Sequence, residues 1–297
     1  MRVLHEWTDK TARIRVEGQK ESLRILHVTD LHLGLHDERD AKYVNEHVAG
    51  CRDRFGQRRQ DMAGRPIYTE VTLVQTLERA KAEPLDLLAH TGDLIHFPSR
   101  ANVDFCLRAF QESGTPWLYT PGNHDWRYPG IEGGDEVREQ WLPVLAPLQQ
   151  KGNKSHAATE IKGVQFLAFD NSNYQITEEQ LAIARKLFAR ALPTVLLIHI
   201  PLSLPTLRPK TLEVWKDPIL MGDPSWTEER RKQWLTRPDD PSTLEFMRLL
   251  RGSEGLVAIL CGHLHFSHSD NVSLQAVQYV TDANFSGGHR LVEIGPL

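Results

Sequence analysis

Short apolar runs alternate with helical patterns along this chain. Eight runs rich in aliphatic residues predict β-strands at residues 23–28, 85–90, 116–120, 164–169, 194–200, 256–261, 277–281 and 290–294. Apolar positions on one helical face predict helices over residues 68–82, 103–112 and 177–191. Thr177 and Gln180 give the third helix a capping-box start. Strands alternating with helices predict a layered α/β fold, and the continuous apolar runs indicate strands buried on both faces.

Two segments interrupt this alternation. Residues 34–67 are polar, charged and rich in arginine, and residues 201–242 are rich in proline and tryptophan. Each follows the end of a predicted strand, so we expect both to be elaborated loops or lids over one rim of the sheet. The chain has no internal repeat, low-complexity tract or clear linker, which predicts a single domain over residues 1–297.

Composition narrows the classes of function. Of the 297 residues, 40% are hydrophobic and 25% are charged, as in an ordinary soluble globular protein. The net charge of -4 gives no sign of a general affinity for nucleic acid or membranes. The 3 cysteines have no Cys-x-x-Cys spacing, which argues against a disulfide framework and a thiolate metal site. An N-terminus without an apolar leader, and no run of membrane-spanning length, predict a cytoplasmic protein.

Polar side chains of metal-binding type follow five of the predicted strands. They are Asp30, His32, Asp93, Asn123, His199, His263 and His265. The carboxyl ends of strands form the rim at which open α/β sheets bind ligands. By contrast, His27 and His90 lie inside their strands, and we expect them to be packed or hydrogen-bonded core residues.

The chemistry of these side chains favours divalent metal ions. Oxygen and imidazole donors without a thiolate suit Mn, Fe or Zn and disfavour Cu(I). Seven donors are too many for one tetrahedral ion but suit two ions that share a bridging carboxylate, roughly 3.5–4 Å apart. Two dications would outweigh the two aspartates, and the remaining positive charge could hold a hydroxide and an anionic substrate.

The order of these motifs resembles that of the calcineurin-like metallophosphoesterase superfamily. The motifs are DLH (30–32), GD (92–93), GNHD (122–125), His199 and GHLH (262–265). The resemblance extends from residue 23 to about residue 294. It implies a four-layer αββα sandwich, in which two mixed β-sheets are flanked by helices.

The resemblance also implies a role for each matched residue. One ion would be held by Asp30, His32, Asp93 and His265, and the other by Asp93, Asn123, His199 and His263, with Asp93 as the bridge. His124 would face the phosphate and stabilise charge or protonate the leaving oxygen, and Asp125 could orient it. A hydroxide bridging the metals would attack phosphorus in line, without a covalent phosphoenzyme.

The motifs are less specific for the kind of phosphate ester that is hydrolysed. GDLIHFPSR lacks the arginine that protein phosphatases of this superfamily carry after the second motif. DLHLG is similar to the DNA-repair nuclease branch, but no capping domain or coiled coil accompanies it. The order also resembles that of bacterial cyclic-nucleotide phosphodiesterases, yet IHIPL holds one histidine where they usually have two. The arginines of 52–59 could contact nucleic acid, but a solvated face is favoured.

We therefore expect a small phosphorylated substrate, with a phosphodiester favoured over a phosphomonoester. A nuclease and a catalytically silent scaffold are the further alternatives, and the oligomeric state stays open. His36, His96, Trp126, Arg127 and the tryptophans of 201–242 could shape a pocket, although loop packing is favoured for each of them individually.

Overall fold

The computed structural model describes residues 1–82, 84–149 and 155–297. The strands are β1 (Val3–Trp7), β2 (Thr11–Val16), β3 (Leu23–Val28), β4 (Leu87–Thr91), β5 (Trp117–Thr120), β6 (His156–Ile161), β7 (Val164–Phe169), β8 (Thr194–Leu197), β9 (Leu256–Cys261), β10 (His268–Asn271), β11 (Val277–Val280) and β12 (Arg290–Pro296). The α-helices are α1 (Glu46–Ala49), α2 (Cys51–Gly56), α3 (Thr69–Ala82), α4 (Arg100–Ser113), α5 (Asp135–Leu145), α6 (Glu178–Phe188), α7 (Leu207–Trp215), α8 (Glu228–Gln233) and α9 (Pro241–Gly252).

The strands form two six-stranded mixed sheets. The first has the order β1-β2-β12-β3-β4-β5, and the second has the order β10-β11-β9-β8-β7-β6. On one side of the first sheet, β3, β4 and the edge strand β5 run parallel. At the centre of the second, β7, β8, β9 and β11 also run parallel. The carboxyl ends of the strands in each parallel set therefore lie at a single edge of their sheet.

Three hydrophobic layers join these sheets to their helices. Between the sheets, Ile25 and Ala89 of the first belong to the same buried cluster as Leu197 and Leu260 of the second. The side chains alternate along each strand, so Leu26, next to Ile25, joins the cluster on the opposite face of the first sheet.

Helices cover both outer faces. The cluster outside the first sheet includes Leu73 of α3 and Phe110 of α4, and the cluster outside the second includes Leu181 of α6 and Phe246 of α9. The predicted αββα sandwich is thus confirmed. A fully buried apolar side chain contributes about 1.5–3 kcal/mol to folding, so these layers hold the strand ends in fixed positions.

Core histidines behave largely as predicted. His27 is fully buried, and its two ring nitrogens lie 2.8 Å from Thr91 Oγ1 and 2.8 Å from Thr281 Oγ1. Because Thr281 follows β11, this pair of contacts links the two sheets. His90 is equally buried, but neither of its ring nitrogens has a hydrogen-bond partner among the described residues.

The two elaborated segments contain short helices and reach the same rim. Residues 34–67 include α1 and α2, and the ring of Phe55 in α2 stacks on His32 with centroids 4.7 Å apart. Residues 201–242 include α7 and α8, and Trp215 at the end of α7 donates its indole N–H to the Leu264 carbonyl at 3.0 Å. Among the described residues, no helix combines the length and apolar character needed to cross a bilayer.

Candidate metal centre

The backbone at the strand ends is unusual. Five of the seven predicted metal-binding residues have positive φ angles: Asp30 (54°), His32 (52°), Asp93 (49°), His263 (71°) and His265 (57°). Such conformations are uncommon for residues with a side chain and cost free energy, so the surrounding structure must enforce them. They turn the chain sharply after β3, β4 and β9 and place the polar side chains at the rim.

Asp30 presents one free carboxylate oxygen. Its Oδ2 accepts hydrogen bonds from Thr29 Oγ1 at 2.8 Å and from the His263 amide at 2.9 Å. Its Oδ1 is buried and has no hydrogen-bond partner among the described residues. A buried anionic oxygen without a partner is costly, and a cation would satisfy it.

Gly262 allows the turn that contains it to approach Thr29 and Asp30 closely. A Cβ atom at this position would lie 1.8 Å from Thr29 Oγ1 and 2.4 Å from Asp30 Oδ2. Both are atoms of the hydrogen-bonded pair that fixes the Asp30 carboxylate. Glycine therefore allows the turn after β9 to pack directly on the turn after β3.

Four predicted residues form a first group of converging atoms. His32 Nε2 lies 3.1 Å from His265 Nε2 and 3.6 Å from Asp93 Oδ2. His265 Nε2 lies 3.3 Å from Asp30 Oδ1. One potential ligand atom from each of these residues lies within 4.8 Å of the others, which fits one divalent ion.

A second group shares Asp93. His199 Nδ1 donates a hydrogen bond to the Thr91 carbonyl at 2.7 Å, so Nε2 is the nitrogen available to an ion once its proton is lost. That Nε2 lies 3.4 Å from Asp93 Oδ2 and 3.2 Å from Asn123 Oδ1. His263 completes the group with Asp93 and His199.

Tyr174 selects the nitrogen that His263 presents to this group. Its hydroxyl lies 3.0 Å from His263 Nε2, which leaves Nδ1 as the available donor. Such a partner fixes the ring orientation of a ligating histidine. Tyr174 was not among the predicted site residues, because its segment carries no ligand motif.

The Asp93 carboxylate lies between the two groups. Its Oδ1 accepts a hydrogen bond from the His124 amide at 2.9 Å, while Oδ2 faces both His32 and His199. A single oxygen directed at both groups suits a bridging ligand. The residues present therefore fit a pair of divalent ions.

The electrostatics of the centre attract positive charge. Burial would by itself raise the pKa of Asp30, but His265 and other neighbours hold it below its usual range. Burial would lower the pKa of His199, but the charge of Asp93 and its hydrogen bond raise it to about 9. An ion bound by His199 would displace this proton, since imidazole binds metals in its neutral form.

Two histidines, His96 and His124, extend the centre beyond the two groups. His96 Nδ1 lies 2.9 Å from His32 Nδ1, and the His96 ring stacks on the His124 ring with centroids 4.4 Å apart. Burial lowers the pKa of His96 to about 3 and that of His124 well below its usual value. Packing was the favoured role for His96 in the sequence, so its contact with a predicted ligand was missed.

A signal for His96 was nevertheless available. His96 lies three residues after Asp93, and His32 lies two residues after Asp30, so both histidines closely follow a predicted ligand. In the structure, a parallel bridge between Leu33 and Ile95 joins these two segments. Of the other pocket candidates, His36 is exposed. Trp126 is buried and donates its indole N–H to Ser172 Oγ at 3.0 Å, as expected for loop packing.

Asp125 accepts hydrogen bonds from backbone amides. Among the described residues, it forms no hydrogen bond with His124. Its Oδ1 accepts from the Ile95 amide at 2.8 Å, and its Oδ2 accepts from the Gly122 amide at 2.6 Å. Both oxygens are thereby engaged, which differs from the expected hydrogen bond to the His124 ring. Asp125 instead ties the GNHD turn to the segment after β4.

Comparison with known proteins shows the family of the chain. The family model for calcineurin-like phosphoesterases matches residues 23–267, and the chain therefore belongs to this family. No curated protein matches the chain in sequence.

Two solved structures resemble the fold. A dimetal phosphatase from Danio rerio has a TM-score of 0.51 and 10% identity, with 91% of this chain and 91% of that chain covered. A purple acid phosphatase from yellow lupin (Lupinus luteus) seeds has a TM-score of 0.50 and 13% identity, with 93% of this chain and 46% of that chain covered. At these identities the similarity is one of fold.

Proposed function

We propose that this protein hydrolyses phosphoesters with a pair of divalent metal ions. The observation that carries the proposal is the convergence of donor atoms on both sides of Asp93 Oδ2, together with the buried Asp30 Oδ1, which accepts no hydrogen bond among the described residues. Two bound ions would supply Lewis acidity and make water nucleophilic near neutral pH. Mn, Fe and Zn all suit this donor set.

The proposed ligands divide into two sets. Asp30, His32, Asp93 and His265 would bind one ion, and Asp93, Asn123, His199 and His263 would bind the other. Their backbone is fixed before binding, since the turns are held by the two sheets and by hydrogen bonds such as His263 N to Asp30 Oδ2. Preorganised ligands of this kind pay little conformational entropy when an ion or a transition state binds.

His124 is the proposed catalytic residue outside the ligand set. Its amide donates to Asp93 Oδ1, and His124 lines, together with Asn123, a cavity of about 310 Å³. A phosphate beside Asn123 would lie within reach of the imidazole. The imidazole would donate a proton or a hydrogen bond to a phosphoryl or leaving-group oxygen.

We favour a phosphodiester as the substrate. The cavity is walled by Trp126, Trp234 and Leu235, and it offers an organic substituent a place next to the scissile phosphate. A phosphomonoester is the second candidate, because the two similar structures are described as phosphatases. The size of the cavity suits a small phosphorylated molecule.

Initial rates on two chromogenic esters test the proposal. The purified protein, reloaded with Mn²⁺, is assayed with bis-p-nitrophenyl phosphate and with p-nitrophenyl phosphate. We expect faster hydrolysis of the diester and loss of both activities after treatment with a chelator. Preference for the monoester would replace the phosphodiesterase assignment, and absence of turnover with two ions bound would overturn the hydrolase assignment for simple esters.

A further inference from the structure

A single charged side chain stands out in the cavity beside the metal centre. The cavity is lined by Asn123 and His124, and by Tyr174 and Trp234, whose rings also lie close to His263. Among the described residues that line it there is no Asp or Glu, and Arg127 contributes a formal positive charge. The cavity is therefore suited to an anionic ligand.

Arg127 lacks the counter-charge that nearby arginines have. Arg138 is paired with Asp170, and Arg237 is paired with Asp135 at 3.5 Å. Within the described chain, the Arg127 guanidinium forms no such ion pair, although it is half-buried. Burial lowers the pKa of Arg127, and the charge of Asp93 offsets this effect in part. Burying a charge without a partner is costly, so a ligand is expected to supply the partner.

The part of the cavity wall formed by Leu235 has a conformational cost. Leu235 has a φ of 53° at the end of α8, a position where glycine is normally favoured. Its side chain lines the cavity, next to Trp234. The indole N–H of Trp234 is buried and has no acceptor among the described residues. This left-handed leucine is a backbone cost located at the cavity wall.

We propose that Arg127 binds a second anionic group of the substrate, a phosphate or a carboxylate on the part that occupies the cavity. This inference rests on the proposed function, because it takes the scissile phosphate to lie beside Asn123 and His124. The planar guanidinium would form paired hydrogen bonds with the oxyanion. A substrate with one phosphate and no second anion would leave this charge unmatched.

Equilibrium binding of non-hydrolysable phosphonates tests the inference without turnover. The Mn²⁺-loaded protein is titrated calorimetrically with phenylphosphonate, 3-carboxyphenylphosphonate and 1,3-benzenediphosphonate. Two of these probes, 3-carboxyphenylphosphonate and 1,3-benzenediphosphonate, carry a second anionic group. We expect at least one of them to bind about 10- to 100-fold more tightly than phenylphosphonate, because a charge-assisted hydrogen bond contributes on this scale. The probe that gains distinguishes a carboxylate from a phosphate.

Variants assign the gain to Arg127. In Arg127→Gln the affinity ratio between the two kinds of probe should fall close to one, and Arg127→Lys should retain part of it. Arg108→Gln removes an exposed arginine of α4 and should keep the full ratio, which controls for net charge.

Two outcomes would overturn the inference. The first is that the wild-type protein binds all three phosphonates equally well or binds none of them. The second is that the affinity ratio is unchanged in Arg127→Gln. Absence of ester hydrolysis with a preserved, Arg127-dependent ratio would instead refute the proposed function and leave the anion site standing.

Discussion

The His96 ring stacks on the His124 ring, with centroids 4.4 Å apart and planes inclined by 19°. Through its Nδ1, which lies 2.9 Å from His32 Nδ1, His96 also contacts a proposed ligand. One of these two Nδ1 atoms must carry a proton for the contact to be a hydrogen bond. His96 therefore connects the orientation of the proposed catalytic imidazole to that of the metal centre.

Replacing His96 tests this connection. In His96→Ala we expect Mn²⁺ affinity to fall about 10- to 100-fold, since partners that orient a ligating histidine contribute on this scale. His96→Asn, which can still hydrogen bond to His32, should recover part of the affinity. The measurement is a titration of Mn²⁺ against a chelator of known affinity. Unchanged affinity in His96→Ala would mean that His96 only fills space.

The different proposed roles of Asp93 and His124 predict that their variants lose different properties. Asp93→Asn should lose bound metal and activity together, because Asp93 Oδ2 faces both ligand groups. His124→Ala should keep its metal and lose about 10²- to 10⁴-fold in kcat, the range for a lost proton donor. Metal content per chain, measured beside the rate, separates these cases. Equal metal loss in both variants would contradict the assigned roles.

The close packing around Gly262 predicts that a larger residue at this position would clash with its neighbours. In Gly262→Ala the new Cβ would clash with Thr29 Oγ1 at 1.8 Å, so the turn after β9 must shift away from Asp30. We expect the free energy of unfolding to fall by about 1–3 kcal/mol and the metal affinity to fall with it. Gly252→Ala is a matched control, since a Cβ there would meet nothing within 4 Å. Denaturant unfolding measures both variants, and equal stability would show that the turn is adaptable.

His90 predicts a dependence of stability on pH. Burial lowers its pKa from 6.5 to about 3, so the unfolded chain binds this proton between those pH values and the folded protein does not. The free energy of unfolding therefore loses up to about 1.4 kcal/mol per pH unit from this group as the pH falls below 6.5. Above pH 6.5 this loss is absent.

His90→Leu should remove the loss. The variant also eliminates two unsatisfied nitrogens, so we expect it to be more stable than the wild type by about 1 kcal/mol at pH 8 and by more at pH 5. His47→Leu, at an exposed histidine, controls for the loss of an imidazole. Urea unfolding at both pH values is the measurement, and a constant difference between wild type and variant would contradict the prediction.

Much of the central architecture could be predicted from apolar runs. Strands β3, β7 and β9 have the predicted bounds because each is a continuous buried run. The Thr177–Gln180 capping box at the start of α6 was also confirmed. The strand predicted over residues 194–200 ends at Leu197, since the His199 and Ile200 amides leave the sheet and donate to Asn171 Oδ1.

Peripheral elements were missed because their patterns are weak. Strands β1 and β10 are short edge strands with mostly polar or exposed residues, and β6 carries few strongly apolar side chains. The proposed metal ligands were accessible from the sequence because each follows an apolar run. Tyr174 was not, because its contact with His263 joins segments that are distant along the chain, and Arg127 was named only as a possible pocket residue.

The position of β12 has a consequence for biosynthesis. This strand lies between β2 and β3, with Arg290 opposite His27, so the first sheet is divided until β12 is in place. Strand β3 leads directly into Asp30 and His32, and it is synthesised long before the strand that secures its free edge. All seven proposed metal ligands precede β12 in the chain, so we expect the nascent chain to carry them before the first sheet is complete. We therefore expect stable ion binding only after β12 has joined the sheet.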